Sequence, residues 1–257
     1  MMIEVWKNNL HNAFYTLEAC KNEFTYISLD LEFAGFLRDT GRYAPEHVRY
    51  ADLKYNVDNL KPVQIGLTLS DYTWQFNLSG FDADADLSGN NAVDFLRNSG
   101  IDLERNLREG VAVDDFAKLF KKAFVDGGRN GQQHRWITFH GLYDFAYMIK
   151  ILTAAPLPGN LGEFLSLVAT FFGRVYDLKS MAKWCHGLMG GEIGLVRMAN
   201  ILNIDISCTN PHQAGHDSLI TSKVFCVIKR KYKLNEQEYQ GCLYGLPSAQ
   251  LLFKVFL

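Results

Sequence analysis

Four acidic residues and one histidine are spaced in a way that could hold metal ions and move a proton. In chain order they are Asp30, Glu32, Asp144, His212 and Asp217. Alternate side chains of an extended strand share one face, so Asp30 and Glu32 would point the same way, about 6.6 Å apart along the chain. Burying two like charges is costly without a cation, and hard divalent metals are held by such oxygen pairs. The pattern favours a divalent-metal site.

Each acidic residue also has a purely structural interpretation. An Asp-x-Glu triplet arises about once by chance in a chain of this length and composition. Asp30 and Glu32 could therefore be a solvated pair at the end of a strand. Asp144 and Asp217 each fall in the first turn of a predicted helix, where a carboxylate also serves as a partner for the helix dipole.

Two histidines compete for the role of the general base. His212 follows Pro211 in a predicted loop, from which its imidazole can swing toward whatever Asp217 holds. His216 adjoins Asp217, but on a helix it lies about 100° further round and points elsewhere. We therefore favour His212 as the base and keep His216 as the alternative.

Strands and helices must position these side chains. Alternating β-branched and aromatic residues predict strands over 24–33, 62–69, 73–78 and 135–140, with the middle two joined as a hairpin. Apolar residues at helical spacing predict helices over 3–19, 43–59, 92–99, 113–125, 143–153, 161–172, 178–186, 192–202 and 214–231. This order indicates a mixed α/β layer architecture, and the lack of a Gly/Ser/Pro-rich linker indicates a single domain.

Composition and cysteine usage bound the class of protein. The chain has 257 residues, of which 48% are hydrophobic and 21% charged, which is typical of a soluble globular protein. No two of its five cysteines have Cys-x-x-Cys spacing, so we expect buried, reduced thiols. The N-terminus lacks the apolar core of a signal peptide, and no apolar run approaches the ~20 residues that span a bilayer. We expect a cytosolic or nuclear protein without a membrane partner.

The order Asp-x-Glu, Asp, His-x-x-x-x-Asp resembles the histidine-bearing branch of the DEDD superfamily of 3′-to-5′ exonucleases. Longer runs resemble the Caf/Pop mRNA deadenylases, which are catalytic subunits of the Ccr–Not complex. These runs are 28–33 (SLDLEF), 56–68 (NVDNLKPVQIGLT), 74–78 (WQFNL), 139–145 (FHGLYDF) and 212–219 (HQAGHDSL). The likeness spans about residues 3–235, and 72–110 is most similar to the plant members. Leu31, Ala34 and His216 depart from the family's common Thr, Pro and Ser, but none of these changes removes a carboxylate.

The resemblance implies a fold, an activity and a set of ligands. The fold would be a ribonuclease H-like mixed central sheet surrounded by helices, as a single exoribonuclease domain over 1–257. The activity would be poly(A)-specific 3′-to-5′ hydrolysis that releases 5′-AMP with two divalent metal ions, Mg²⁺ or Mn²⁺. Asp30 would bridge both ions, and Glu32 and Asp217 would complete the first site. Asp144 would position the second ion, and His212 would be the general base.

Three residues beside the carboxylates are candidate contacts to the RNA strand. They are Phe33, His140 and Tyr143. Aromatic side chains bind single-stranded RNA by stacking on its bases, which favours this interpretation. The competing interpretation is that they belong to the core or support the carboxylates.

The resemblance also implies partners, and it leaves two alternatives open. The partners would be the 3′ end of poly(A), the Not scaffold subunit and a leucine-rich-repeat deadenylase subunit, in the cytoplasm and nucleus. The alternatives are a DEDD exonuclease acting on DNA or short oligoribonucleotides, and a catalytically weak scaffold. The net charge of −2 argues against charge-driven coating of nucleic acid. It does not exclude an enzyme that grips only the end of a strand, which needs few phosphate contacts.

Overall fold

A mixed six-stranded sheet forms the centre of the computed structural model, which describes residues 1–41, 43–126, 134–207 and 209–246. Its strands are β1 (Met2–Val5), β2 (Tyr26–Phe33), β3 (Pro62–Leu69), β4 (Tyr72–Asn77), β5 (Arg135–Thr138) and β6 (Arg174–Asp177). The helices around it are α1 (Leu10–Lys21), α2 (Glu46–Asn59), α3 (Ala92–Asn98), α4 (Leu103–Glu109), α5 (Val113–Phe120), α6 (Leu142–Thr153), α7 (Leu161–Phe172), α8 (Leu178–Ala182), α9 (Leu195–Ile201) and α10 (Ala214–Tyr232).

Strand β2 lies in the sheet between an antiparallel neighbour and a parallel neighbour. The order across the sheet is β1-β4-β3-β2-β5-β6. On one side β2 pairs antiparallel with β3 of the β3–β4 hairpin, and on the other it pairs parallel with β5, which pairs parallel with β6. Because parallel strands end at the same edge, the loops that follow β2, β5 and β6 gather there.

The two faces of β2 belong to different layers. Ile27, Leu29 and Leu31 are buried in the larger core cluster, which includes apolar residues of α1, α6 and α7. Asp30 and Glu32 lie on the other face, toward α10, where they come close to Asp217. The strand period of two therefore separates Leu31 from the acids, so its departure from the family's common residue affects packing.

Most predicted elements are confirmed, and the errors have a common cause. The helix expected over 3–19 is confirmed only from Leu10 onward, because the chain first forms β1 and then α1. Strand β6 and helix α4 were not predicted, and the helix expected over 178–186 ends at Ala182. Segments of four to seven residues are too short to display a period of their own, and β1 forms by pairing with β4 across the fold.

The thiols only partly follow the sequence expectation. Of Cys20, Cys185, Cys226 and Cys242, Cys185 alone is buried, and Cys226 is exposed. The expectation of buried thiols was therefore wrong for Cys226, and Cys208 lies outside the described residues. Among the described helices, none combines the length and apolar character needed to cross a membrane.

Helix α10 packs unusually close to the sheet at its first turn. Gly66 pairs with Asp30 in the sheet, and a Cβ atom at Gly66 would lie 1.9 Å from the carbonyl oxygen of Ala214. The backbone N–H of Gly215 donates to Gln75 Oε1 at 2.9 Å, so the sheet itself caps this helix end. Gln64 Oε1 accepts the N–H of Ala214 at 3.3 Å in the same way. The first turn of α10 is thus fixed beside Asp30.

We expect Gly66→Ala to destabilise the protein by about 1–3 kcal/mol, because the added methyl group must push α10 away from β3. The free energy of unfolding from urea titration measures the effect. Gly159→Ala is the matched control, since a Cβ atom there meets nothing within 4 Å, and it should change stability by less than about 0.5 kcal/mol. Equal stability of the two variants would contradict the close approach.

Candidate active site

Three carboxylates from two elements converge on the α10 side of the sheet. Asp30 and Glu32 are on β2, Asp217 is in the first turn of α10, and one oxygen from each lies within 4.8 Å of the others. Asp30 and Glu32 keep some contact with solvent, whereas Asp217 is buried. The structure thus brings together the three residues expected to form the first metal site.

Asp144 joins this group from the opposite layer. Strand β5 ends at Thr138 beside β2, and the chain turns into α6, whose first turn carries Asp144. Its Oδ1 accepts the backbone N–H of Leu31 at 3.0 Å, and the side chain is buried. Asp144 therefore reaches the strand between the positions of Asp30 and Glu32.

Burial raises the pKa of every carboxyl group in this cluster. Burial, followed by the charge of Asp217, raises the pKa of Glu32 to about 8. Burial raises the pKa of Asp217 to about 6 against the lowering effect of His212. Burial and then the charges of Asp144, Asp217 and Glu32 raise the pKa of Asp30 well above its ordinary value. The apo cluster therefore resists full ionisation at neutral pH.

The donor set fits divalent cations. Within the described part of the chain, Asp217 Oδ1 is buried and accepts no hydrogen bond. A buried carboxylate oxygen without a partner is costly, and a cation bound there would remove that cost. Oxygen-only ligands at this density are the type that Mg²⁺ and Mn²⁺ prefer.

The two candidate bases occupy different environments. His212 is exposed, and its backbone N–H donates to Asp217 Oδ2 at 3.3 Å. The His212 ring meets Phe95 edge to face, with 5.0 Å between centroids, and lines the same cleft as Asp30 and Asp144. Its backbone has a φ of +67°, in the left-handed region that residues other than glycine and asparagine rarely adopt.

His216 points away from the cleft, as its place on the helix predicts. It is half-buried, its Nδ1 has no hydrogen-bond partner among the described residues, and burial lowers its pKa. Among the described residues that line the cleft, His212 is included and His216 is not. The geometry therefore favours His212 as the base.

The three predicted RNA contacts all line this cleft, which has a volume of about 490 Å³. The Phe33 and Tyr143 rings stack on each other with centroids 5.3 Å apart and planes 15° apart. One face of each ring is therefore covered by the other ring and cannot contact RNA. Asn56 donates to the Tyr143 hydroxyl at 2.9 Å. His140 is exposed at the rim.

Sequence reasoning missed other residues of the cleft. Phe36 is 49% exposed and packs edge-on against both Phe33 and Tyr143. Its position shortly after the Asp-x-Glu triplet was the only signal for it. Tyr244 also lines the cleft but comes from the segment after α10, far from every motif, so no local pattern could have assigned it.

Other charged residues lie outside the cluster. Asp205 is exposed and accepts the backbone N–H of Ser207 at 2.9 Å, so its role is structural. In the basic run 223–233, Lys229, Arg230 and Lys231 lie in the last turn of α10, about 18–21 Å from Asp217 along the helix at 1.5 Å per residue. Lys229 in that run bonds to Tyr26 and pairs with Glu236. The run is therefore no extension of the cleft.

Comparisons with known proteins agree with this geometry. Residues 5–123 and 113–225 match the family model for "CAF1 family ribonuclease". A probable CCR4-associated factor 1 homolog of Arabidopsis thaliana is 34% identical over 95% of this chain and 92% of its own length. Poly(A) ribonuclease pop2 of Schizosaccharomyces pombe is 34% identical over 95% of this chain and 75% of its own length.

Solved structures confirm the fold. S. pombe Pop2p in its Mg²⁺- and Mn²⁺-bound form has a TM-score of 0.85 and 32% identity, covering 95% of this chain and 99% of that chain. Yeast CAF1, co-crystallised with the NOT1 MIF4G domain, gives a TM-score of 0.76 at 25% identity, covering 95% and 96%. The predicted ribonuclease H-like mixed sheet is therefore confirmed.

We expect the metal-free protein to lose stability as the pH rises from about 5 to about 8. The folded-state pKa values of Glu32 and Asp217 lie above those of the unfolded chain, so the folded state binds more protons in this range. Stability conferred by these protons is lost as the pH passes the folded values. A divalent ion that neutralises the cluster should restore it.

Thermal denaturation in chelator and in excess Mg²⁺ measures this effect. The increase in melting temperature caused by Mg²⁺ should be larger near pH 8 than near pH 5. Glu32→Gln is the control, because it removes the carboxyl group whose pKa is raised to about 8 and should reduce the loss of melting temperature with rising pH in chelator. An equal Mg²⁺ effect at both pH values would contradict the interpretation.

Proposed function

The chain belongs to the CAF1 family of ribonucleases, and on that premise we propose that it shortens poly(A) as a 3′-to-5′ exoribonuclease that releases 5′-AMP. The observation that carries the proposal is the convergence of Asp30, Glu32 and Asp217 within 4.8 Å, with Asp144 buried alongside. The poly(A) specificity is supported by the name of the S. pombe relative. We assign this activity to one domain over residues 1–257.

The four carboxylates are proposed to hold two divalent metal ions. Mg²⁺ and Mn²⁺ are present in the similar Pop2p structure, which supports their use here. When bound, the ions would stabilise charge on the attacking and leaving oxygens of the phosphodiester. Asp30, Glu32 and Asp217 would hold the first ion, and Asp30 and Asp144 would hold the second.

His212 is proposed to take the proton from the attacking water. An imidazole is suited to this task because it exchanges protons near neutral pH. The hydrogen bond from its backbone to Asp217 and the edge of Phe95 keep the ring beside the cluster. Its exposed position also allows the proton to pass on to solvent.

Phe33, His140 and Tyr143 are proposed to contact the RNA, with Phe36 added from the structure. Because Phe33 and Tyr143 stack on each other, the exposed ring of Phe36 offers the most accessible surface for a base. Phe33 and Tyr143 pack against that ring and hold it in place. The sequence left RNA contact and structural support as alternatives for these aromatic residues, and here they serve both roles.

We propose that the chain works within the Ccr–Not complex. Support comes from the name of the Arabidopsis relative and from the yeast CAF1 structure with the NOT1 MIF4G domain. A leucine-rich-repeat deadenylase subunit as a second partner, and a location in cytoplasm and nucleus, are proposed on the family resemblance.

The two alternatives make different predictions about substrate and activity. A catalytically weak scaffold would have no need of four clustered carboxylates with raised pKa values, because such a cluster destabilises the metal-free fold. An exonuclease for DNA or short oligoribonucleotides would use the same cluster. It differs in its response to the 2′-hydroxyl and to strand length.

Purified protein in Mg²⁺ should shorten oligo(A) from its 3′ end to 5′-AMP and act more slowly on oligo(U). Replacing the 3′-terminal nucleotides with 2′-deoxynucleotides should slow the reaction. Chromatography of the released nucleotides measures rate and product.

Asp30→Ala should abolish hydrolysis without unfolding the protein. Equal rates on RNA and DNA would favour an exonuclease that acts on DNA or short oligoribonucleotides. Inactivity of the wild type would favour the catalytically weak scaffold.

His212→Ala should lower kcat by about 10²–10⁴-fold, because a general base contributes rate enhancements of this order. Mg²⁺-induced thermal stabilisation should persist, since the carboxylates are unchanged. His216→Ala is the matched control, being the neighbouring histidine outside the cleft, and it should retain most activity. A larger loss in His216→Ala than in His212→Ala would mean that the base was wrongly assigned.

A further inference from the structure

A second cleft continues from the active-site cleft along the protein surface. It has a volume of about 590 Å³, compared with about 490 Å³ for the cleft that contains the carboxylates. The two share Arg49, His140, Tyr244 and Gly245 on their walls, so they adjoin each other. Beyond the shared residues, the second cleft extends to Lys179.

The wall between the two clefts is anchored by a single buried carboxylate. Asp177 is fully buried, and it accepts the backbone N–H groups of His140 at 3.0 Å, Lys179 at 2.9 Å and Tyr244 at 3.0 Å. The N–H of Gly141 makes a fourth such bond at 3.2 Å. Three separate segments of the chain are therefore fixed to one another at the rim. Asp177 is therefore structural, and the wall it fixes is preorganised.

The side chains on this wall combine an aromatic ring with a cation. Lys179 Nζ lies 4.5 Å from the centroid of the Tyr244 ring, and His140 meets that ring edge to face at 4.8 Å. The Tyr244 hydroxyl donates to Glu192 Oε1 at 2.6 Å, which orients the ring. Arg49 adds a second cation, while Glu46 and Glu192 also contribute to the lining.

An exonuclease that cuts at a 3′ end needs a second binding surface for the rest of the strand. Only the terminal nucleotide lies on the 3′ side of the scissile phosphate, so all the others must leave the active site on its 5′ side. Sites for unpaired strands pair cations along the backbone with aromatic rings for the bases. The second cleft offers both, in a volume slightly larger than the cleft that must hold the terminal nucleotide.

We propose that the second cleft binds the RNA nucleotides on the 5′ side of the scissile phosphate. Lys179 contacts a phosphate, and Tyr244 provides an aromatic surface for a base. The inference rests on the proposed function, because it assumes a strand whose 3′ end lies at the carboxylates. It assigns a binding role to residues distant in sequence from every catalytic motif.

The test compares a long substrate with a dinucleotide. Decaadenylate fills the second cleft, whereas ApA reaches at most its first position. Lys179→Gln should lower the ratio of kcat/KM for decaadenylate to kcat/KM for ApA about tenfold, mainly through KM, since one stacking or phosphate contact contributes about that factor. Lys179→Arg keeps the charge and should restore most of the ratio. Lys118→Gln, an exposed lysine on α5, is the matched control.

Binding separates failure of the inference from failure of the proposed function. Fluorescence anisotropy of 5′-labelled decaadenylate in Mg²⁺, on the Asp30→Ala background, needs no hydrolysis. Lys179→Gln should weaken this binding about tenfold, and melting temperatures should confirm that all variants are folded. Unchanged affinity together with an unchanged kcat/KM ratio would overturn the inference and assign the surface to a protein partner. Inactivity of the wild type with a Lys179-dependent affinity would overturn only the proposed nuclease activity.

Discussion

The crowding of four desolvated carboxylates is the constraint on which this structure depends. Burial raises the pKa of Asp30, Glu32, Asp144 and Asp217, and the charges of Glu32, Asp144 and Asp217 each raise the pKa of at least one neighbour further. The metal-free fold must hold these groups against a free-energy cost that bound cations would remove. Rigid elements therefore have to surround the cluster.

Two devices supply that rigidity on the α10 side. The absence of a side chain at Gly66 lets the helix approach β3 directly opposite Asp30. Gln64 and Gln75 then satisfy backbone N–H groups at the start of α10, where no Ncap side chain from Gln213 does so. Asp217 is placed as much by these sheet residues as by its own helix, because they determine where that helix begins.

A third device acts at the rim. The carboxylate of Asp177 differs from the four carboxylates of the active-site cluster, because four backbone N–H groups donate hydrogen bonds to it. A buried anion with such partners is stable, whereas Asp217 keeps one oxygen without any partner among the described residues. An aspartate thus anchors the rim at position 177 and is available to ligate a cation at position 217. The two differ in the number of hydrogen-bond donors around the carboxylate.

The sequence by itself determined which residues could do the chemistry and, through the Asp-x-Glu spacing on β2, that two of them share a face. It also determined the longer elements, because β2, α7 and α10 are long enough to show their own periods. Only the tertiary structure decided that β1 pairs with β4, that Asp144 reaches the backbone of Leu31, and that Tyr244 lines the cleft. Periodicity is a property of neighbours along the chain, whereas these contacts join residues separated by tens of positions or more. They depend on packing that no local pattern encodes.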